Sequence, residues 1–247
     1  FSGQVKAEMA AIIGLINESP AIVISIDLPS GLPADNLAGL CVRADATITI
    51  GCHKPVTVTY PGRDFCGEVV VADIGFPQKI IRSLASDLSL FSYADALPYL
   101  CCNTAADTHK YKNGAVLVIA GSSGMEGAAL MAVSSLLETG CGICVLITPE
   151  SAASVIRGKI PELIVCGVDD QKCEDELVQI LQSYVEKGFH TVLAGPGMGR
   201  DQFAGACLSA LCSVSKSNSV NVSFAGDAVF FLPDLDHSFS SLVITPH

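Results

Sequence analysis

An apolar run at residues 115–120, a glycine-rich stretch at 121–127, a helical pattern at 128–138 and a second apolar run at 143–148 follow one another directly. Two buried strands joined through a helix lie parallel, because the crossover returns the chain to the same end of the sheet. This strand–helix–strand unit constrains the fold more than anything else in the chain, and its surroundings repeat the alternation. Val5, Met9, Ile12 and Ile16 predict a helix over 4–18 that Pro20 ends. Runs at 21–26, 46–50, 56–60 and 68–74 read as strands, with Pro61-Gly62-Arg63-Asp64 as a turn between the last two. Helices are expected at 177–186 and 203–214, and strands at 191–194 and 242–244. Between Pro77 and Thr108 the pattern is mixed, polar and broken by Pro98, which suits a connection between two units. The chain is therefore predicted to be α/β throughout.

Charge and composition exclude several functions. Half of the 247 residues are apolar, enough for a sizeable core, and the net charge of −11 opposes binding to nucleic acid. No apolar run reaches the roughly 18 residues of a membrane span, and no cleavable leader is visible. The 11 cysteines are scattered among apolar neighbours, as at Cys141, Cys144, Cys207 and Cys212. They read as reduced packing residues and imply a reducing compartment. Asp169-Asp170 and Glu174-Asp175-Glu176 read as a solvated helix start rather than a metal cluster.

Five stretches carry residues suited to chemistry. Asp27-Leu28-Pro29-Ser30-Gly31 follows a buried strand, where a carboxylate and a hydroxyl can bind a cation, hold a ribose or move a proton; Asp27 as a turn cap is the structural alternative. Gly51-Cys52-His53-Lys54-Pro55, with Arg63 beyond it, offers cations for phosphate, although solvated surface charges are the simpler reading. Gly121-Ser122-Ser123-Gly124-Met125-Glu126-Gly127 opens a helix whose N-terminus favours anions. It is neither a Walker loop nor a dinucleotide fingerprint, and a tight structural turn is equally open. Gly195-Pro196-Gly197-Met198-Gly199, followed by Arg200-Asp201, suggests a flat backbone surface against a ligand. Thr245-Pro246-His247 closes the chain after a strand.

Taken in order, these stretches resemble a known family. Ser25 to Gly31, Arg43-Ala44-Asp45, Lys54-Pro55, Gly62-Arg63-Asp64 and Gly67 to Gly75 resemble the NAD(P)HX epimerase domain. Thr108-His109-Lys110, Val118 to Met125, Gly127-Ala128-Ala129, Pro161-Glu162-Leu163, Gly195 to Asp201 and Thr245 to His247 resemble the NAD(P)HX dehydratase domain of the ribokinase-like superfamily. The set is similar to bifunctional NAD(P)HX repair enzymes over nearly the whole chain. The resemblance implies a Rossmann-like epimerase part at 1–80, a linker at 81–107 and a ribokinase-like dehydratase part at 108–247. It implies repair of hydrated nicotinamide cofactors: the R and S hydrates interconvert, and the S form is dehydrated at the expense of ADP or ATP. Asp27 matches the epimerase's substrate-contacting acid, and Ser30 matches a potassium ligand. Ala128, Gly197 and His247 match positions lining the hydrate pocket. The implied partners are NAD(P)HX and an adenine nucleotide with Mg2+, in a cytoplasmic homo-oligomer.

The sequence also departs from that family. An acidic and an amide position of the stretch before the last strand are Ala225 and Phe230, while Asp227 is kept. Tyr111 stands where a glycine usually follows the lysine. The family's Asn/Gly/Asp-rich loop is expected before Phe1, and its catalytic Gly-Ser-Gly-Asp motif after His247. The isolated 247 residues are accordingly expected not to carry out ADP-dependent repair. Two rivals share some of these features: another ribokinase-like small-molecule kinase, and a nucleotide-binding descendant without turnover.

Overall fold

The computed structural model describes residues 5–33, 40–83, 88–99, 107–236 and 239–246. The chain divides into two compact units, residues 1–92 and 93–247. Of the expected linker at 81–107, residues 84–87 and 100–106 lie outside the described residues. What is described there is the end of helix α3 (Gln78–Ser83), a turn of helix α4 (Tyr93–Ala96) and a 3-10 turn (Leu97–Tyr99).

In the first unit, helix α1 (Ala7–Glu18) buries Ile13 and ends at Ser19, whose extended backbone Pro20 requires. Strands β1 (Ile24–Ile26), β2 (Ala46–Ile50) and β3 (Glu68–Ala72) form a parallel sheet in that order. Its burial inverts the usual polarity. Ser25, Thr47 and Thr49 are buried, and the Thr47 hydroxyl donates to the Cys66 carbonyl at 2.7 Å. On the other face Ile48 of the central strand pairs with Ile26 on one side and Val70 on the other, with Ile26 64% exposed and Val70 50%.

The strand expected at 56–60 is instead helix α2 (Pro55–Val58), followed by a 3-10 turn (Gly62–Phe65). Val56 and Thr57 imitate a strand locally, but Pro55 presets the first helical position. Thr57 folds its hydroxyl back on the Lys54 carbonyl at 2.8 Å, and Thr59 donates to Pro55 at 2.8 Å. Local side-chain bonds of this kind compete with a ladder.

The second unit is built on strands β4 (Ala115–Ile119), β5 (Ile143–Pro149), β6 (Ile164–Val168), β7 (Thr191–Ala194), β8 (Asn221–Ala225) and β9 (Ser241–Thr245). They lie in the order β6-β5-β4-β7-β8-β9, and every pairing is parallel. Helices α5 (Glu126–Glu138) and α6 (Glu150–Ile156) cover one face, packing Ala129, Val133, Ala152 and Ile156 against Val118, Cys144 and Leu146. Helices α7 (Glu174–Val185) and α8 (Gln202–Ser215) cover the other, packing Leu177, Leu181, Leu208 and Leu211 with Leu117, Val145 and Ile147. All seven residues of β5 are buried, as in a parallel sheet sandwiched between helical layers. This is the doubly wound arrangement: the strand order reverses between β4 and β7, and ligands of such sheets bind beyond the carboxyl ends of the strands at that point.

Among the described residues no helix is long and apolar enough to cross a membrane. All nine described cysteines are free; burial pushes the thiols of Cys144 and Cys207 up to about 12, whereas Cys52 and Cys173 are exposed.

Candidate functional site

The two strands at the reversal are those that open into the glycine-rich stretches. Beyond β4 the chain turns through Gly121 to Met125 into α5, and beyond β7 it turns through Gly195 to Asp201 into α8. The two loops are bonded to each other. The Gly195 amide donates to Ile119 at 3.0 Å, the Gly121 amide to Pro196 at 2.9 Å, and the Ser122 hydroxyl to the Gly197 carbonyl at 3.0 Å.

Gly197 is the glycine of the second loop that comes closest to the first loop and its helix. Its φ is +59°, and a Cβ there would lie 2.8 Å from the Ala128 Cβ and 2.9 Å from the Met125 carbonyl. Ala128 and Gly197, which the resemblance assigns to one pocket, lie side by side. At Gly195, with φ +123°, a Cβ would stand 1.7 Å from the Ala225 carbonyl, so only glycine permits the strand to leave the sheet there.

A polar cluster anchors the far end of this loop. The Asp227 carboxylate accepts from the Gly199 amide at 3.1 Å and from Arg200 Nε at 3.2 Å. Asp201 caps α8 by accepting from the Ala204 amide at 2.9 Å, a bond that satisfies one of the helix's unpaired donors. Arg200 also stands over the ring of Phe230, 4.9 Å from its centroid.

His247 lies outside the described residues. Strand β9 runs parallel to β8 and ends at Thr245, at the same edge of the sheet as the loops.

In the first unit Asp27 follows β1 with φ +68°, a conformation aspartate tolerates better than most residues. Its amide donates to the Ile48 carbonyl at 2.8 Å, and its carboxylate accepts from the Ile50 amide at 3.2 Å. Lys54 Nζ donates to the same carboxylate at 2.5 Å, to the Thr49 hydroxyl at 2.9 Å and to the Ile50 carbonyl at 2.9 Å. The bond from Lys54, aided by the Ile50 amide, holds the Asp27 carboxyl below its ordinary range against the opposing effect of burial. The sequence offers Lys54 as a cation for phosphate, and its pairing with Asp27 is what that reading missed. A surface cation was the simpler reading, and its signal was only its position one strand away from Asp27.

Ser30 is exposed, and its carbonyl is taken by the Val42 amide at 2.9 Å. A potassium cage needs several oxygens, and Ser30 offers one hydroxyl. Among the described residues no three His, Cys, Asp or Glu side chains gather into a metal-binding group.

Comparison with known proteins follows the same division. Residues 116–247 match the family described as NAD(P)H-hydrate dehydratase, and residues 1–56 match the YjeF-related protein N-terminus. A bifunctional NAD(P)H-hydrate repair enzyme of Coxiella burnetii is 28% identical over 249 residues, covering 100% of this chain and 48% of its own length. Its counterpart in Dictyoglomus turgidum is 31% identical over 253 residues, covering 99% and 48%. The chain therefore spans about half the length of these curated relatives. A ribokinase-like superfamily protein of Enterococcus faecalis shares the fold, with TM-score 0.50 and 23% identity over 65% of this chain and 56% of that one.

Proposed function

This chain belongs to the NAD(P)H-hydrate dehydratase family, and from that premise we propose that the protein repairs hydrated nicotinamide cofactors. The observation that carries the reading is the meeting of Ala128 and Gly197 at the point where the strand order reverses. Their contact brings backbone and a single methyl together at the carboxyl edge of the sheet, suited to a ligand that approaches backbone closely. In this reading Ala128, Gly197 and His247 line the hydrate pocket of a dehydratase part at 108–247. An adenine nucleotide donates a phosphoryl group to the ring hydroxyl; the C–O bond then breaks, phosphate leaves, and loss of a ring proton restores the double bond. Such transfer depends on positioning and charge stabilisation, which the fixed backbone of the two loops supplies. Magnesium would accompany the nucleotide through its phosphate oxygens.

Residues 1–80, as an epimerase part joined through a linker at 81–107, would interconvert the R and S hydrates. Asp27 would carry the proton. Lys54 keeps its carboxylate ionised, the form that accepts a proton, and fixes its direction. Ser30 would contribute one oxygen to a potassium ion. A homo-oligomer in the cytoplasm completes the proposal.

The test is an assay of the full-length protein on separated R and S hydrates, with and without ADP or ATP. Nucleotide-dependent return of NAD(P)H from the S hydrate is expected, with the R hydrate drawn into the same product. Asp27→Asn should abolish use of the R hydrate and leave dehydration of the S hydrate intact. Turnover of neither hydrate would overturn the reading.

A further inference from the structure

Phe230 is an apolar residue in a place that asks for explanation. It occupies the 3-10 helix Gly226–Asp234, which joins β8 to β9 at the ligand edge of the sheet, yet its side chain is 57% exposed. It lines a pocket of ≈ 250 Å³ with Arg200, Gly226, Val229 and Pro246. Phe231 meets the ring edge-on at 5.3 Å and 88°, and the Arg200 guanidinium covers part of it, so the ring is held while much of it stays open. Arg200 is itself fixed through Nε to Asp227, the carboxylate that also accepts from the Gly199 amide. Its terminal nitrogens have no hydrogen-bond partner among the described residues and are free for an anion. The pocket therefore combines an open aromatic surface, an apolar rim and a positioned cation, one residue beyond the glycine loop.

We propose that Phe230 and Arg200 form a shelf for a nucleotide, with the planar base stacked on Phe230 and the adjoining phosphate held by Arg200. This rests on the functional reading above and adds a base-binding residue to it. Base–aromatic stacking needs a flat π-system, and Arg binds phosphate through its planar fork. A hydrated nicotinamide ring carries tetrahedral carbons and is not flat. The shelf thus suits an adenine, supplied by the dinucleotide substrate or by the adenine nucleotide co-substrate.

The experiment is calorimetric titration of ADP, NADPH and ribose 5-phosphate into the protein and its Phe230→Ala, Phe230→Asn and Phe230→Tyr variants. Because Phe230 is largely exposed, all three variants should fold, which far-UV circular dichroism checks. Phe230→Ala and Phe230→Asn should weaken at least one base-bearing ligand roughly 5- to 150-fold. Phe230→Tyr should preserve its affinity within about twofold, since the ring remains. Ribose 5-phosphate, which lacks a base, should not follow the substitution. A loss confined to ADP assigns the shelf to the co-substrate, and one confined to NADPH assigns it to the dinucleotide. ADP and NADPH binding that Phe230→Ala leaves untouched would overturn the shelf and spare the functional reading. Failure of both to bind the unsubstituted protein would overturn the two together.

Discussion

Asp27 illustrates how much one neighbour determines. Its carboxylate is held ionised by Lys54 and the Ile50 amide, so removing the amine should let its pKa rise. A carboxyl whose folded pKa is depressed contributes stability above its unfolded value and loses it as pH falls through the folded value. In Lys54→Ala the Asp27 titration, followed by carboxyl NMR, should move upward, and the acid limb of the stability curve should flatten. The pair is half-exposed, with 24% of the lysine side chain and 45% of the aspartate accessible, so its worth is about 1 kcal/mol or less.

Gly197 permits a sharper residue-scale test. Gly197→Ala forces a left-handed non-glycine residue against Ala128, at a cost of about 1–3 kcal/mol. Thermal unfolding of the second unit should shift down accordingly. Ala128→Gly in the same protein should recover part of the loss by removing the opposing methyl. Independent, additive losses would show that the two residues do not meet.

At the scale of elements, the first sheet makes an unusual prediction. Thr47→Val, although isosteric and more apolar, leaves the buried Cys66 carbonyl without its donor and should cost about 1–3 kcal/mol in denaturant unfolding. Ile26→Ser, which removes an apolar side chain from the same sheet, should cost less, because Ile26 is already 64% exposed. A rule that hydrophobic residues point inward would order these two the other way.

The long apolar runs were legible in the sequence: β2, β4, β5 and β7 appear where the periodicity put them, and α5, α7 and α8 start within a few residues of expectation. Three short or atypical elements were not. Helix α6 follows Pro149 for only seven residues, β6 contains Gly167, and β8 has Asn221 and Ser223 among its apolar positions. The 56–60 segment misled because β-branched residues there serve a helical turn. Of the candidate site, the glycine loops were readable because close backbone approach leaves a residue signature. The Lys54–Asp27 pair was not, since only strand register brings it together.

For the whole molecule, the two units differ in how much they bury. The first unit's apolar cluster centres on Leu32, Cys41, Val56 and Cys66, whereas the second carries an extensive cluster on each face of its sheet. Native-state hydrogen exchange should therefore find the slowest amides in β4 and β5 and the fastest strand amides in β1 and β9. Equal protection of β1 and β5 would contradict this ranking of cores.

The bond from Ser122 to Gly197 joins residues 75 positions apart. At about 5–20 residues per second of synthesis, the first loop emerges roughly 4 to 15 s before the second. Until β7 arrives, β4 pairs only with β5 and its other edge stands open, the kind of edge on which chains aggregate. The Gly121–Met125 loop has no opposing floor during that interval, so no ligand held between the two loops can stabilise the early strands. Closing the edge and creating the floor are one event, and the nascent chain gains its site at the moment it loses its most exposed strand.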